Sequence, residues 1–436
     1  YFFQKGHQLL KDGGYSSYIT SRYWIEAEFA KKLRKFLGTN SRIKEIVDFK
    51  NVTVFDGIGI KTCITSFQKI NNNKEIFEYR FHPGKKINYV ELEEFISIPI
   101  PLINISKESW NLTNEDSTNI LDKIENDTIL LDEIADCKQG IVTGLDKAFI
   151  STDDDFKYLP KNIIKPWLKV GDIHKYSIQL VEKRELVYTK LIDDIDNYPE
   201  LKNRLLHFKE KLLNRREAKS GRLRWFDLQW SRDSELFDNE KLICRFKAEN
   251  NTFCYDNKGY YSSADTTIVA LKSIEIGNFS TKYILALLNS KVLSFYFKSY
   301  GKLMDYRYEY YPGPVSKLRI KKYNNQNIFV SLVDYILFLK QEQKTNNELI
   351  PIYFEQVIDS MVYDLYFPEL LKQHNRTIIE HLGELPAFTD SMSDNQKMEI
   401  ITTVFNRLNE KNHPVRVNLF YMNSIPEIKI IEGIKE

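Results

Sequence analysis

The sequence predicts an α/β fragment, an α+β region and a helical C-terminal region in succession, and three observations carry that reading. The chain has 436 residues, which at roughly 100 to 200 residues per domain implies two to four domains. Hydrophobic residues make up 42% and charged residues 28%, so the chain folds rather than staying disordered. The apolar period also changes along the chain: mixed strand and helix spacing comes first, then short β-rich runs broken by helices, then sustained three-and-four spacing. These changes set divisions at 1–125, 126–325 and 326–436.

In the first part, Phe2, Phe3, Leu9 and Leu10 fall on helical spacing, and Asp12-Gly13-Gly14 ends that helix in a turn. Tyr15 to Thr20 reads as a strand. A helix follows from about Ile25 to Leu37, with Trp24, Ala27, Phe29, Ala30, Leu33 and Phe36 on its apolar face. Ile43 to Phe49 and Thr62 to Phe67 are strands flanking Val52 to Gly59. Seventy residues are too few for a complete doubly wound sheet. The chain also opens at Tyr1 without methionine, so a missing N-terminal segment is the expectation. From Asn71 to about Asp127, Asn71-Asn72-Asn73, Pro83, Pro99 and Pro101 predict edge strands and a connector.

In the middle part, strands are expected at Gly140 to Val142, Ala148 to Ile150, Glu185 to Tyr188, Lys241 to Phe246 and Thr266 to Leu271, with a helix over Tyr283 to Tyr300. The last part carries helices at Ile328 to Gln343, Tyr353 to Leu371 and Met398 to Leu408, then a β-like end.

Composition narrows the function. Sixty-two Lys and Arg against 60 Asp and Glu leave a charge of +2, which excludes a uniformly basic coat protein and makes any basic function local. Cys63, Cys137, Cys244 and Cys254 are too far apart for a C-x-x-C motif and too few for a disulfide framework, which predicts a reducing, cytoplasmic setting. No apolar run has the length of a membrane span, and no signal peptide is recognisable.

Several constellations carry weak chemistry. Phe55-Asp56-Gly57-Ile58-Gly59 places glycines after a strand, but Ile60 to Phe67 reads as another strand, so a hairpin is preferred to a dinucleotide site. Gly140-Ile141-Val142-Thr143-Gly144 with Lys147 could form an anion nest, though turn glycines around a short strand are commoner. The seven histidines show no metal-ligand spacing, and no G-x-S-x-G elbow supports a hydrolytic triad. Two stretches stand out. Leu201 to Trp225 holds nine Lys and Arg, including Arg222 and Arg224, against Glu210 and Glu217. Lys298 to Tyr323 interleaves Lys302, Arg307, Lys317, Arg319, Lys321 and Lys322 with Tyr300, Tyr306, Tyr308, Tyr310 and Tyr311. A solvated helix face accounts equally well for the first stretch alone, but the second, with phosphate contacts beside stacking surfaces, favours nucleic-acid binding, some of its tyrosines being core.

Taken in order, these pieces resemble the C-terminal part of the gamma-class adenine-specific DNA methyltransferases, the TaqI-like group that includes the fused type IIG restriction-modification enzymes. Leu9-Leu10-Lys11-Asp12-Gly13-Gly14, Trp24 and Leu33 to Leu37 look like the closing stretch of the methyltransferase sheet, and Val54-Phe55 before the Thr62 strand looks like motif VIII. Gln139 to Gly144, Ala148 to Ile150, Lys165 to Leu168 and Gly171 to Ile173 resemble the opening of the target-recognition domain. Leu287 to Ser290 and Phe354 to Phe367 resemble later elements of the larger members.

The resemblance implies the end of a class I methyltransferase sheet followed by a DNA target-recognition domain. The parent enzyme would use S-adenosylmethionine to methylate a flipped adenine in double-stranded DNA, with or without a fused nuclease. Motif I and the N-P-P-Y or D-P-P-Y loop do not occur in these 436 residues. A flipped amino group must be held while the methyl group is attacked in line, so the chain alone is expected to be inactive and to bind no cofactor. By resemblance Phe55 stacks on the flipped base and Phe2 lies beside the cofactor, against ordinary core packing for both. Arg222, Arg224, Lys302 and Arg307 are the expected DNA contacts. A catalytically silent nucleic-acid-binding or scaffold module of the same shape is the alternative, and an unrelated hydrolase a third.

Overall fold

A computed structural model describes residues 1–436 other than 51, 56, 71–75, 83–91, 102–109, 111, 113, 114, 153, 154, 305, 342–348, 435 and 436. Asn71-Asn72-Asn73, Pro83 and Asp56 therefore lie outside the described residues. The chain forms two compact units. Tyr1–Asn126, Phe295–Glu309 and Pro426–Glu436 make the first, and Asp127–Ser294 with Tyr310–Ile425 the second.

The first unit opens with helix α1 (Phe2–Leu9), whose buried residue is Phe3, and strand β1 (Tyr15–Ser21). The helix expected from Ile25 is displaced. Arg22–Ile25 and Glu28–Ala30 are 3-10 turns, and helix α2 spans Lys31–Asn40. Arg34 explains the delay: its guanidinium donates to the carbonyls of Trp24 and Ala27, both at 2.8 Å. Those carbonyls are thereby drawn away from regular helical pairing. Phe29 is 86% exposed and not on the apolar face expected of it.

Strands β2 (Arg42–Asp48), β3 (Thr62–Gln68), β4 (Ile76–Phe81) and β5 (Ile96–Pro101) complete a sheet of order β1-β3-β2-β4-β5. Only β2 and β4 run parallel; the other pairs are antiparallel, with Ile19 opposite Ile64 and Ile46 opposite Tyr79. Of the edge strands expected after Asn71, β5 lies at the edge, where Pro99 and Pro101 are tolerated. By contrast β4 is internal. Helix α3 (Glu115–Glu125) buries Ile120, Leu121 and Ile124 at helical spacing that the polar composition had hidden. Phe3, Trp24, Phe67 and Trp110 anchor the core, with ring centres 5.2–6.1 Å apart. Full burial of Phe67 alone stabilises by roughly 1.5–3 kcal/mol.

The second unit contains two four-stranded sheets. In one, Phe253–Asp256, Lys241–Arg245, Thr266–Leu271 and Ala135–Gln139 lie side by side, all antiparallel. In the other, Tyr261–Ser262, Ile164–Leu168, Glu185–Val187 and Ile150–Ser151 follow in that order. Phe149, Phe156, Trp167, Tyr188, Phe237 and Tyr261 fill one core. Ala148-Phe149 closes a helical turn, Asp146–Phe149, instead of a strand, because Thr143 Oγ1 donates to Asp146 at 2.6 Å and fixes the turn's first residue. The helix expected over Tyr283 to Tyr300 is two helices, Thr281–Leu288 and Lys291–Tyr300.

Helices Asn327–Lys340 and Leu349–Tyr366 are buried around most of their circumference. The β-like end is helical, since Pro414 and Pro426 begin helices Pro414–Tyr421 and Pro426–Glu432, and proline favours a first helical position. All four cysteines are free, and burial pushes the thiols of Cys63 and Cys137 up to about 11 and about 12. Among the described residues no helix is long and apolar enough to cross a membrane.

Candidate nucleic-acid interface

The nine cations of 201–225 divide sharply by what they touch. Arg204 donates to Asp155 at 2.8 Å and lies 4.8 Å from the Phe156 ring. Lys202 pairs with Asp196, and Arg216 with Glu217 at 2.9 Å. Arg215 is buried and donates to four carbonyls: Asp227 at 2.7 Å, Leu212 at 2.9 Å, Trp225 at 3.0 Å and Thr143 at 3.4 Å. Arg224 holds Asp227 at 2.7 Å and the carbonyls of Ile192 and Asp193 at 2.8 Å, over the Phe226 ring at 4.4 Å. Hydrogen bonding to Asp227 raises its guanidinium above the ordinary value. Lys209 lies over Trp225 at 5.4 Å.

Lys211, Lys219 and Arg222 remain exposed, with no side-chain partner among the described residues. Gly221 presents Arg222. Its φ of +70° ends the short helix Arg216–Lys219 in the left-handed region, and the amides of Arg222 and Leu223 turn back onto the Glu217 carbonyl.

Beside this turn the structure brings in a residue that charge reasoning missed. Gln229 Nε2 donates to the Glu217 carboxylate at 3.0 Å, and Trp230 exchanges backbone hydrogen bonds with Val142 at 2.9 and 3.2 Å. The indole is 44% exposed, with the Arg232 guanidinium 5.7 Å from its ring. Trp230 follows the basic run and shows no periodicity, so only its pairing with Val142 reveals it as a fixed, solvent-facing ring. Three amides of the Gly140 to Gly144 segment are taken up by backbone pairing and not by an anion nest: those of Gly140, Ile141 and Val142 go to Thr266, Ser262 and Trp230. A Cβ on Gly140 would stand 2.2 Å from the Ser263 carbonyl, so this glycine serves close backbone packing.

Other motifs of the second unit that carry the family resemblance are structural fasteners. Asp172 accepts from the amides of Lys169 and Val181 and from Arg184. Asn289 exchanges two amide hydrogen bonds with the Phe253 backbone at 2.9 Å each, and Asp359 accepts from the Lys291 amide.

In the first unit, Phe55 is 44% exposed and so is not core; Ile58 and Ile60 beside it are also exposed, while Val52 is buried. The segment hangs from a charged knot. Arg22 binds Asp48 at 2.8 Å and Glu26 at 2.6 Å, Tyr79 donates to Asp48 at 2.8 Å, and Lys50 lies over the rings of Tyr79 and Phe81. Burial opposes ionisation of Asp48, but Arg22 and Lys50 more than offset it and hold the carboxyl below its ordinary value. Lys302 is tied to Glu309 at 2.7 Å and lies 5.5 Å from the Tyr23 ring. Arg307 is exposed, 5.1 Å from the Tyr306 ring. Phe2 is 74% exposed, and the first turn of α1 carries no carboxylate.

Comparison with known proteins agrees with the motif resemblance. Residues 165–311 match the model of the TaqI-like C-terminal specificity domain, and residues 1–55 match that of the Eco57I restriction-modification methylase. The type II restriction enzyme and methyltransferase RM.Eco57I of Escherichia coli is 25% identical over 346 residues, 70% of this chain and 34% of that protein. The type II methyltransferase M.BstVI of Geobacillus stearothermophilus is 24% identical, over 70% of this chain and 57% of that protein. M.HindII of Haemophilus influenzae is 25% identical, over 80% and 69%. The chain thus spans about a third and somewhat over half of the first two relatives. Among solved structures, the type IIL restriction-modification enzyme MmeI in complex with DNA superposes with a TM-score of 0.52 at 14% identity, over 90% of this chain and 49% of that one, which shows a shared fold. The chain is therefore similar in sequence to type II restriction-modification methyltransferases, and its residues 165–311 match the TaqI-like C-terminal specificity domain.

Proposed function

We propose that this chain is the sequence-reading part of an adenine-specific, S-adenosylmethionine-dependent DNA methyltransferase or fused restriction-modification enzyme of the type IIG kind. The carrying observation is that Lys211, Lys219 and Arg222 stand without side-chain partners near a solvent-facing Trp230, and that the first basic stretch and residues 298–311 of the second fall within the specificity-domain match. Unpaired cations supply the phosphate term of affinity, and a fixed ring supplies a stacking or groove contact. Arg222 and Arg307 are the phosphate or base contacts in this reading. Arg224 and Lys302, which already hold Asp227 and Glu309, position the surface. Residues 126–325 form the reading portion.

The first unit supports the rest of the reading. Strand β1 lies at the edge of its sheet with Tyr15 and Ile19 exposed, and Tyr1, Phe2 and Leu9 of the opening helix are exposed too. Apolar surface next to an open strand edge suits a further catalytic segment packing there. Phe2 offers a ring face but no carboxylate in its turn for the cofactor's ribose hydroxyls, so these residues alone do not fit S-adenosylmethionine. Electrophoretic mobility shifts of duplex DNA across an ionic-strength series test the proposal. Binding should weaken steeply as salt rises, and absence of any shift at low salt removes its basis.

A further inference from the structure

The second unit contains a cleft of about 990 Å³ that the reading above does not use. It lies at the upper end of the size range of small-molecule sites. Its walls come from the 177–180 and 255–260 segments and from the helices that carry Lys282, Asp334 to Lys340 and Lys397.

The charges in this cleft do not cancel. Four lysines line it: Lys258, Lys282, Lys340 and Lys397. Lys282 is neutralised by Asp334 at 2.6 Å and Lys340 by Glu355 at 2.5 Å. The remaining acidic wall residue, Asp256, is matched by the buried Lys241 at 2.5 Å. Lys258 and Lys397 have no carboxylate partner among the described residues. Lys397 instead lies over the rings of Phe388 and Phe338, at 5.6 and 5.9 Å. Ser177 lines the same cleft and is 4% exposed, and its buried hydroxyl has no hydrogen-bond partner among the described residues. Tyr260 adds a half-buried ring, and burial pushes its phenol up, so it is a neutral donor at pH 7.

Two uncompensated ammonium groups ask for an anion, and ring faces beside them ask for a planar group. We infer that this cleft binds a nucleotide, its base against the aromatic wall and its phosphate at Lys258 and Lys397, taken either free or as one nucleotide of a DNA strand. An acidic peptide would leave the rings unused, and an apolar ligand would leave both lysines without a partner.

The test uses the whole chain in calorimetric titrations with ATP, adenosine, inorganic phosphate and a short oligothymidylate. Wild type is compared with the Lys258→Gln/Lys397→Gln double variant and with Phe388→Leu. The expected result is saturable ATP binding, stronger than for adenosine or phosphate alone, and weakened at least about tenfold in the double variant while its melting temperature is unchanged. Phe388→Leu should weaken ATP while leaving phosphate binding unaffected. Oligothymidylate competing with ATP assigns the site to a strand, and its failure to compete assigns it to the free nucleotide. No saturable nucleotide binding at millimolar concentration, equal affinity for ATP and phosphate, or full affinity in the double variant would overturn the inference. Because these ligands are not duplex DNA, loss of duplex binding elsewhere leaves this result readable.

Discussion

Replacing Arg215 by leucine separates the cations that build the recognition surface from those that touch DNA. The guanidinium is 9% exposed and holds the carbonyls of Leu212, Trp225 and Asp227 within 3.0 Å, with Thr143 further off at 3.4 Å. Leucine fills the space but donates nothing; the Leu212 carbonyl keeps the Arg215 backbone amide, whereas the part-buried carbonyls of Trp225 and Asp227 lose their charged partner. At about 1–3 kcal/mol for each unsatisfied group, and with water reaching some of them, the expected loss is about 3 kcal/mol. In a unit of this size that lowers the melting temperature by roughly 5 °C. Urea denaturation followed by tryptophan fluorescence measures the loss.

DNA affinity should fall as well, because the same guanidinium ties the Thr143 turn to the Trp225 to Asp227 segment. The dependence of log K on log salt should keep its slope, however, since Arg215 releases no counterion. Arg222→Gln should do the reverse, with stability unchanged and the slope reduced by about 0.9. If Arg215→Leu stays within about 0.5 kcal/mol of wild type, or flattens the slope as Arg222→Gln does, the division between scaffold and contact is wrong.

Trp230→Ala should weaken duplex binding by about 1–3 kcal/mol, the range for a stacked ring. In a Trp225→Phe background, iodide quenching of fluorescence should drop on adding DNA when Trp230 is present but not when it is also replaced by Phe, because the remaining Trp24, Trp110 and Trp167 are buried; equal protection in both excludes an indole contact. Asp48→Asn should destabilise the first unit by about 3 kcal/mol, at the low end for a broken buried pair because Arg22 keeps Glu26. The folded Asp48 carboxyl lies below its ordinary value, so its contribution is present above about pH 4, the unfolded value, and is lost as pH falls through the lower folded value. The gap between wild type and variant in urea titrations should therefore narrow below pH 4, and a constant gap refutes the ion pair. Phe55→Ala, with its side chain 44% exposed, should leave stability unchanged but reduce methylation once the catalytic segment is supplied, with duplex binding intact; retained methylation would assign the ring no role at the base.

The sequence by itself determined the strands β1, β2 and β3, the central strands of the second unit, the long C-terminal helices and the family resemblance, because each rests on a local period or a short run of residue types. Periodicity is a property of neighbouring residues, and Ile43 to Phe49 or Ile328 to Leu339 carry it whatever they pack against. Where two segments compete for the same hydrogen bonds, tertiary structure decided. Arg34 reaching back to Trp24 and Ala27 delays α2, and prolines start helices in a tail that composition made β-like. The candidate interface shows the same split. Nine cations are visible in 201–225, yet six of them are occupied by carboxylates, carbonyls or rings, several of them distant in sequence. A side chain's charge is written in the sequence, but whether that charge is already satisfied depends on partners up to 72 residues away. That is why Arg222 is distinguished from Arg224, and Trp230 found at all, only when the chain is folded.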